Sequence, residues 1–196
     1  MKDLSKLLVL FVEGDTEAEF YRLLINYYKE KSSKPFPEVK RINLKGIGRF
    51  EAKVVSKLKN DILKDKKYKD LEIIVFCCYD TDVFELAKKP PTNWSKVRKG
   101  VAELGIKSFY EIKSQKMIED WFIKDLDGIC DFLKIKKPKK VSQEGLKVLK
   151  GLFKTSNKIY QKGYYTHKFL EKLDLSKIIK ALKGVFDDLE RYLNVK

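Results

Sequence analysis

The sequence predicts an α/β layer protein: a parallel sheet flanked by helices, followed by a helical extension. Three observations lead there. The apolar runs Lys6 to Val12 and Leu71 to Tyr79 are continuous rather than alternating, as in strands buried on both faces of a parallel sheet. Stretches of helical period separate the apolar runs, the alternation expected of βαβ units with right-handed crossovers. Beyond residue 133 only helical periodicity remains.

In chain order, the run Lys6 to Val12 predicts a first strand, stopped by Glu13-Gly14. A helix follows, with Thr16-x-x-Glu19 as a capping-box pattern and Ala18, Tyr21, Leu24, Ile25 and Tyr28 on one face. Glu38 to Leu44 predicts a second strand. Gly46-Ile47-Gly48 turns the chain into a second helix bearing Val54, Val55, Leu58 and Ile62. Leu71 to Tyr79, rich in β-branched and aromatic residues, predicts a third strand that ends on Asp80-Thr81-Asp82. A Pro90-Pro91 loop leads to a short helix near Ser95 to Leu104 and then to a fourth strand near Lys107 to Ile112. Met117, Ile118, Trp121, Phe122 and Leu126 fit one amphipathic helix. The basic stretch Lys134 to Lys140 shifts the composition and marks a boundary between an α/β domain (residues 1–133) and a helical extension packing on it (residues 134–196). In the extension Leu146, Leu149, Leu152 and Phe153 fit one helix face, and the apolar positions from Leu170 to Leu193 fit one or two more.

At 196 residues the chain can bury one sizeable core with an appendage. Its 43 Lys and Arg against 28 Asp and Glu give a formal net charge of +15, so its surface attracts polyanions, nucleic acid first among them. A lysine-rich composition of the heat-adapted kind would look the same. Three cysteines, two of them adjacent in an apolar strand, do not make a disulfide framework. A single histidine and no Cys-x-x-Cys spacing leave a zinc site almost without ligands. The apolar N-terminal run is too short to span a bilayer and ends in acidic residues, so the expected protein is soluble and cytoplasmic, with no membrane partner.

The chemistry lies where two different apolar strands end in acid, Phe11 to Glu17 after the first and Cys78 to Asp82 after the third. In open α/β sheets ligands bind outside the carboxyl ends of the strands, which brings both acidic loops to one crevice. Carboxylates crowded together repel unless a cation lies between them. Hard oxygen ligands without histidine or cysteine select Mg2+ or Mn2+, a choice suited to phosphoryl chemistry. Each residue also has a plainer reading: Glu17 complements a helix dipole, and Asp80 and Asp82 are turn formers. Joint occurrence on two strand ends favours the site.

Glu13-Gly14 with Glu17, and Asp80-x-Asp82, resemble the two motifs of the Toprim domain of topoisomerases, primases and OLD-type (overcoming lysogenization defect) nucleases. The match is nearer to small stand-alone Toprim-like proteins of phage defence, RloB-like ones included, because Glu119 in KMIEDWF and Lys168 in YYTHKFLEKLDL also find counterparts there. The resemblance implies a Toprim-like Rossmannoid fold with a four-stranded parallel sheet. It implies that Glu13 serves as general acid/base or metal ligand and that Asp80 and Asp82 hold the divalent ion. Glu17 would be a further ligand, Glu119 would complete a two-metal arrangement, and Lys168 would contact the scissile phosphate or offset the developing charge. The implied activity is hydrolysis of DNA or RNA phosphodiester bonds by a metal-activated water. Glu119 equally suits the polar face of an amphipathic helix, and Lys168 is one lysine among many.

Around this site, Lys45 and Arg49 flank Gly46-Ile47-Gly48 and could cradle a phosphate at a helix N-terminus, although a loop glycine in left-handed geometry explains the pattern too. It is not a Walker motif. Lys136, Lys137, Lys139 and Lys140 form a backbone-contacting patch or an exposed linker. Trp94, Tyr164 and Tyr165 could stack on bases, burial being the plainer role for tryptophan. The chain has no ATPase domain and little room for a second substrate-gripping domain, which points to an ATPase partner protein or a homodimer. The alternative function is a non-catalytic nucleic-acid-binding module, or an accessory subunit of an ATPase-nuclease complex. The nuclease reading requires Glu13, Asp80 and Asp82 to meet at one end of the sheet with room for an ion; placement on opposite edges, or lysine salt bridges that leave no such room, would sink it and leave only a basic globule.

Overall fold

A computed structural model of the chain describes residues 2–163 and 166–195. Strands β1 (Lys2–Val12), β2 (Phe36–Asn43), β3 (Glu72–Asp80) and β4 (Ser108–Ser114) form one four-stranded sheet of order β2-β1-β3-β4, parallel at every pair. The two strands with the most continuous apolar sequence take the two central places, where both edges are hydrogen-bonded and both faces covered. In register, Val12 lies opposite Asn43 on one side and Cys78 on the other, so Glu13 and Asp80 both leave the sheet at its carboxyl edge.

Alternate residues of β1 and β3 feed two separate cores. Leu8, Leu10 and Val12 join Ile74, Phe76 and Cys78 on one face, while Leu7, Val9 and Phe11 join Val75, Cys77 and Tyr79 on the other. The second core is closed by α2 (Arg49–Lys57), which continues through a π-helical turn (Leu58–Ile62), and by α4 (Trp94–Glu103), whose start is capped by Asn93. The first is closed by α1 (Asp15–Lys31) and by the segments after β4. Leu149 and Phe153 of α7 (Gly145–Thr155), Phe169 of α8 (Thr166–Leu170), Ile178 of α9 (Leu175–Ala181) and Leu189 of α10 (Asp187–Tyr192) are buried with the sheet residues in that one core.

Three expectations change in detail. The capping box does not form: α1 begins at Asp15 behind an extended Gly14, and Thr16 already lies inside the helix, where its Oγ1 accepts from Gly163 N at 3.1 Å. Glu19 pairs with Arg22 instead of reaching back. The single helix expected around Met117 to Leu126 breaks into α5 (Glu119–Phe122), a 3-10 turn and α6 (Leu126–Leu133). Asp125 causes the break. Its backbone leaves the helical region, and its buried carboxylate accepts from Gly128 N, Asp174 N and Lys177 Nζ, tying α6 to the start of α9. The last apolar stretch forms three short helices, α8 to α10, rather than one or two. No helix among the described residues is long and apolar enough to cross a membrane.

Candidate functional site

At the carboxyl edge of β1, Glu13 turns its Oε2 to accept from the backbone N of Asp80 at 3.1 Å, which joins the two acidic loops directly. Its carbonyl accepts from Gly46 N at 2.8 Å, so the glycine loop before α2 is fastened to the same corner. One turn into α1, Glu17 is buried, folded back so closely that a Cβ on Gly14 would lie 2.7 Å from its Oε2. Glycine at position 14 makes room for that carboxylate.

Asp80, the last residue of β3, is 2% exposed, with Oδ1 accepting from Ile118 N at 2.9 Å. That bond pulls the start of α5 against the strand end. It delivers Glu119, fully buried, to the same point, where Tyr160 Oη donates to its Oε1 at 3.1 Å. Glu119 Oε2 is buried and, among the described residues, accepts no hydrogen bond. Thus Glu17, Asp80 and Glu119, from three distant parts of the chain, face one another.

The group among them is the ammonium of Lys162. Its Nζ lies 3.1 Å from Asp80 Oδ2, 3.6 Å from Glu119 Oε2 and 3.8 Å from Glu17 Oε1, and its side chain keeps 40% exposure. Burial lifts the Asp80 carboxyl to about 7, with Lys162 opposing and Glu17 and Glu119 reinforcing the rise. Burial also pushes Glu13 and Glu17 up. For Lys162 burial acts downward, but Asp80, Glu119 and Glu17 outweigh it and hold the ammonium above the ordinary lysine value.

Asp82 opens α3 (Asp82–Leu86), half-buried, its Oδ1 accepting from Val83 N at 2.7 Å. Its backbone N and that of Thr81 both donate to the carbonyl of Lys116, which fixes the loop after β3 to the loop after β4. Among the described residues no group of three or more histidine, cysteine, aspartate or glutamate side chains is arranged to hold a metal ion. The donors match a hard divalent cation in kind, being all carboxylate oxygens, and one of them, Glu119 Oε2, is a buried acceptor without a hydrogen bond. In this arrangement an ammonium stands at their centre.

The remaining candidates lie elsewhere. Lys168 is exposed on α8, and the cation facing the carboxylates is Lys162. Lys45, at positive φ in the glycine loop, reaches toward Asp15 (3.8 Å), and Arg49 is exposed at the start of α2. Lys136, Lys139 and Lys140 are exposed, whereas Lys137 is paired with Asp127 at 2.7 Å. Trp94 stacks on Tyr79 at 4.3 Å with its indole N–H buried and unbonded, a wall of the second core rather than an open platform. Tyr164 and Tyr165 lie outside the described residues. Sequence reasoning missed Lys162 and Tyr160. Buried carboxylates demand a cation, but nothing in the sequence says which of so many lysines supplies it.

No family model matches the chain, and no curated protein matches it. Among solved structures, the C-terminal region of the Xanthomonas campestris pv. campestris OLD protein aligns with 94% of this chain and 97% of its own at 14% identity and a TM-score of 0.38. The C-terminal region of the Burkholderia pseudomallei OLD protein aligns with 93% of this chain and 98% of its own at 16% identity and a TM-score of 0.36.

Proposed function

We propose that this chain is a divalent-metal-dependent nuclease hydrolysing DNA or RNA phosphodiester bonds, in a phage-defence or nucleic-acid-processing setting. One observation carries the reading: carboxylates from β3, α1 and α5 converge at the carboxyl edge of the sheet on a single cationic point, with one buried oxygen of Glu119 unbonded. Glu17, Asp80 and Glu119 would hold Mg2+ or Mn2+, with Glu13 and Asp82 beside them. The metal, when bound, would supply Lewis acidity toward a phosphoryl oxygen and lower the pKa of water.

The chain's own residues would do the rest. Glu13, whose carboxyl is pushed up by burial and whose Oε2 is held by Asp80 N, is suited to accept a proton. Asp80 Oδ1 and Glu119 Oε1 are held in place by Ile118 N and Tyr160 Oη, so the acidic cluster is oriented before any substrate arrives. Lys162, on its flexible stem, would leave the carboxylates and turn toward the anionic substrate, with Lys168 a second cation nearer the solvent. Nucleic acid is the partner this requires, with an ATPase protein or a second copy of the chain as a further partner.

The alternative, a non-catalytic nucleic-acid-binding module, is favoured by one feature: the Lys162 ammonium stands where the carboxylates would hold an ion. The deciding test is cleavage of labelled DNA and RNA in Mg2+, Mn2+ or chelator by the wild type, Asp80→Asn and Glu13→Gln. The nuclease reading expects metal-dependent cleavage that both variants lose. Salt-sensitive binding that persists in both variants, with no cleavage by the wild type in either metal, would overturn it.

A further inference from the structure

The basic surface that the sequence singles out is the linker before α7, but the structure draws attention to α7 itself. Its inner face buries Val148, Leu149, Leu152 and Phe153. Its outer face carries Lys147, Lys150, Gly151 and Lys154, spaced i, i+3, i+4 and i+7 and all exposed. The helix has no acidic residue from Gly145 to Thr155, and among the described residues none of these lysines forms an ion pair. Like charges at i+3 and i+4 weaken a helix, and Lys147 sits in the first turn, at the positive end of the helix dipole. An external anion would relieve all of these repulsions at once.

Gly151 points the same way. It is exposed in mid-helix, where glycine is less favourable than alanine, and a Cβ there would meet nothing within 4 Å. Packing inside this chain therefore does not call for a glycine, and the missing side chain leaves the lysine face open to close approach by another molecule. The N-terminal part of the same face lines a cleft of about 370 Å³, whose far wall is Lys116, Met117 and Asp120. Of the two carboxylates in its walls, Asp120 is engaged by Gly145 N at 2.5 Å, and Glu144 is exposed at the helix start.

This cleft is physically joined to the acidic site. The carbonyl of Lys116 receives the N–H groups of Thr81 and Asp82, and Gly145 lies so close to Glu119 that a Cβ would meet its backbone carbon at 2.3 Å. We infer that the outer face of α7, with Lys116 across the cleft, is a docking surface for the phosphodiester backbone of nucleic acid, leading the strand toward Asp80 and Glu119. The inference rests on the reading of this chain as one that acts on nucleic acid, and it assigns the grip to α7 rather than to the linker lysines.

The test is fluorescence anisotropy with a short labelled oligonucleotide, single-stranded and duplex, in chelator across a salt series. In the variant Lys147→Gln/Lys150→Gln/Lys154→Gln, the slope of log affinity against log salt is expected to shrink by about 2 to 3, and low-salt affinity to fall at least about tenfold. Lys136→Gln/Lys139→Gln/Lys140→Gln should change the slope less. Gly151→Leu should weaken binding several-fold without lowering the melting temperature. A wild-type slope in the α7 variant overturns the inference, as does a wild type that binds neither oligonucleotide; metal-dependent cleavage would then still support the nuclease reading. The expected slope change without any cleavage would uphold this surface and overturn the nuclease reading instead.

Discussion

Lys162 Nζ lies 3.1 Å from Asp80 Oδ2, an ion pair closed across 82 residues of chain. Because the same ammonium also faces Glu17 and Glu119, removing it leaves three buried carboxylates opposed. Lys162→Met is expected to cost about 1 to 2 kcal/mol, less than a fully buried pair because the lysine is 40% exposed and water shares in the screening. Mn2+ should then raise the melting temperature of the variant more than that of the wild type, since ligand binding to the folded state adds stability. Thermal melts with and without Mn2+ decide it. A variant as stable as wild type and indifferent to Mn2+ would mean that the carboxylates do not need a cation.

The metal-free protein should lose stability as pH rises through the mildly acidic range. Asp80 is lifted to about 7 from 3.8, so between those values the folded chain keeps a proton that the unfolded chain has released. Unfolding then sheds protons, and stability falls from about pH 4 to about pH 7, by up to about 4 kcal/mol for Asp80. Glu13 and Glu17, also raised, act in the same direction. Urea midpoints measured at several pH values across that window, with Asp80→Asn flattening the profile, check the sign. A midpoint that climbs across the window contradicts it.

Two glycines of one helix should respond oppositely to alanine. At Gly145 a Cβ would meet the backbone of Glu119 and Asp120 at 2.3 to 2.4 Å, so Gly145→Ala should cost about 1 to 3 kcal/mol and displace α7 from α5. At Gly151 the space is open, and Gly151→Ala should gain roughly 0.5 to 1 kcal/mol. Urea unfolding of both variants tests the pair. Equal effects would show that α7 does not dock against Glu119 as described.

Stopping the chain after Leu133 should leave no folded α/β domain. The truncation strips Leu149, Phe153, Phe169, Ile178 and Leu189 from the core that covers one face of the sheet, and removes Tyr160 and Lys162 from the carboxylates. Loss of near-UV circular dichroism together with strong ANS binding is the expected signature. A truncated chain with native-like near-UV signal would instead make residues 134–196 a dispensable extension.

Much of the sheet was legible because its determinants are local. The run EIIVFCCY has too many consecutive β-branched, aromatic and thiol residues for anything but a strand buried on both sides, and β3 occupies it. That Glu13 and Asp80 stand at strand ends was legible for the same reason, since the end of an apolar strand is visible in one dimension. What escaped depends on contacts across the fold. Thr16 looked like a cap because the sequence does not show Gly163 waiting to donate to it. The helix after β4 looked continuous because the demands on Asp125 come from Gly128, Asp174 and Lys177, the latter two far along the chain. Lys162 was invisible on both counts: its environment is made by residues up to 145 positions away, and its type is the commonest in the chain.

The division of β1 between two cores sets how this part of the gene can vary. Leu7, Val9 and Phe11 serve one compartment and Leu8, Leu10 and Val12 the other, so deleting or inserting one codon upstream of Glu13 would exchange their tenants wholesale. The same slip would carry Glu13 about 3.3 Å along the strand axis, out of reach of the Asp80 amide. Single-residue length changes between Leu7 and Val12 would thus cost both cores and the Glu13–Asp80 bond at once, whereas exchange of one apolar side chain for another would touch only one core.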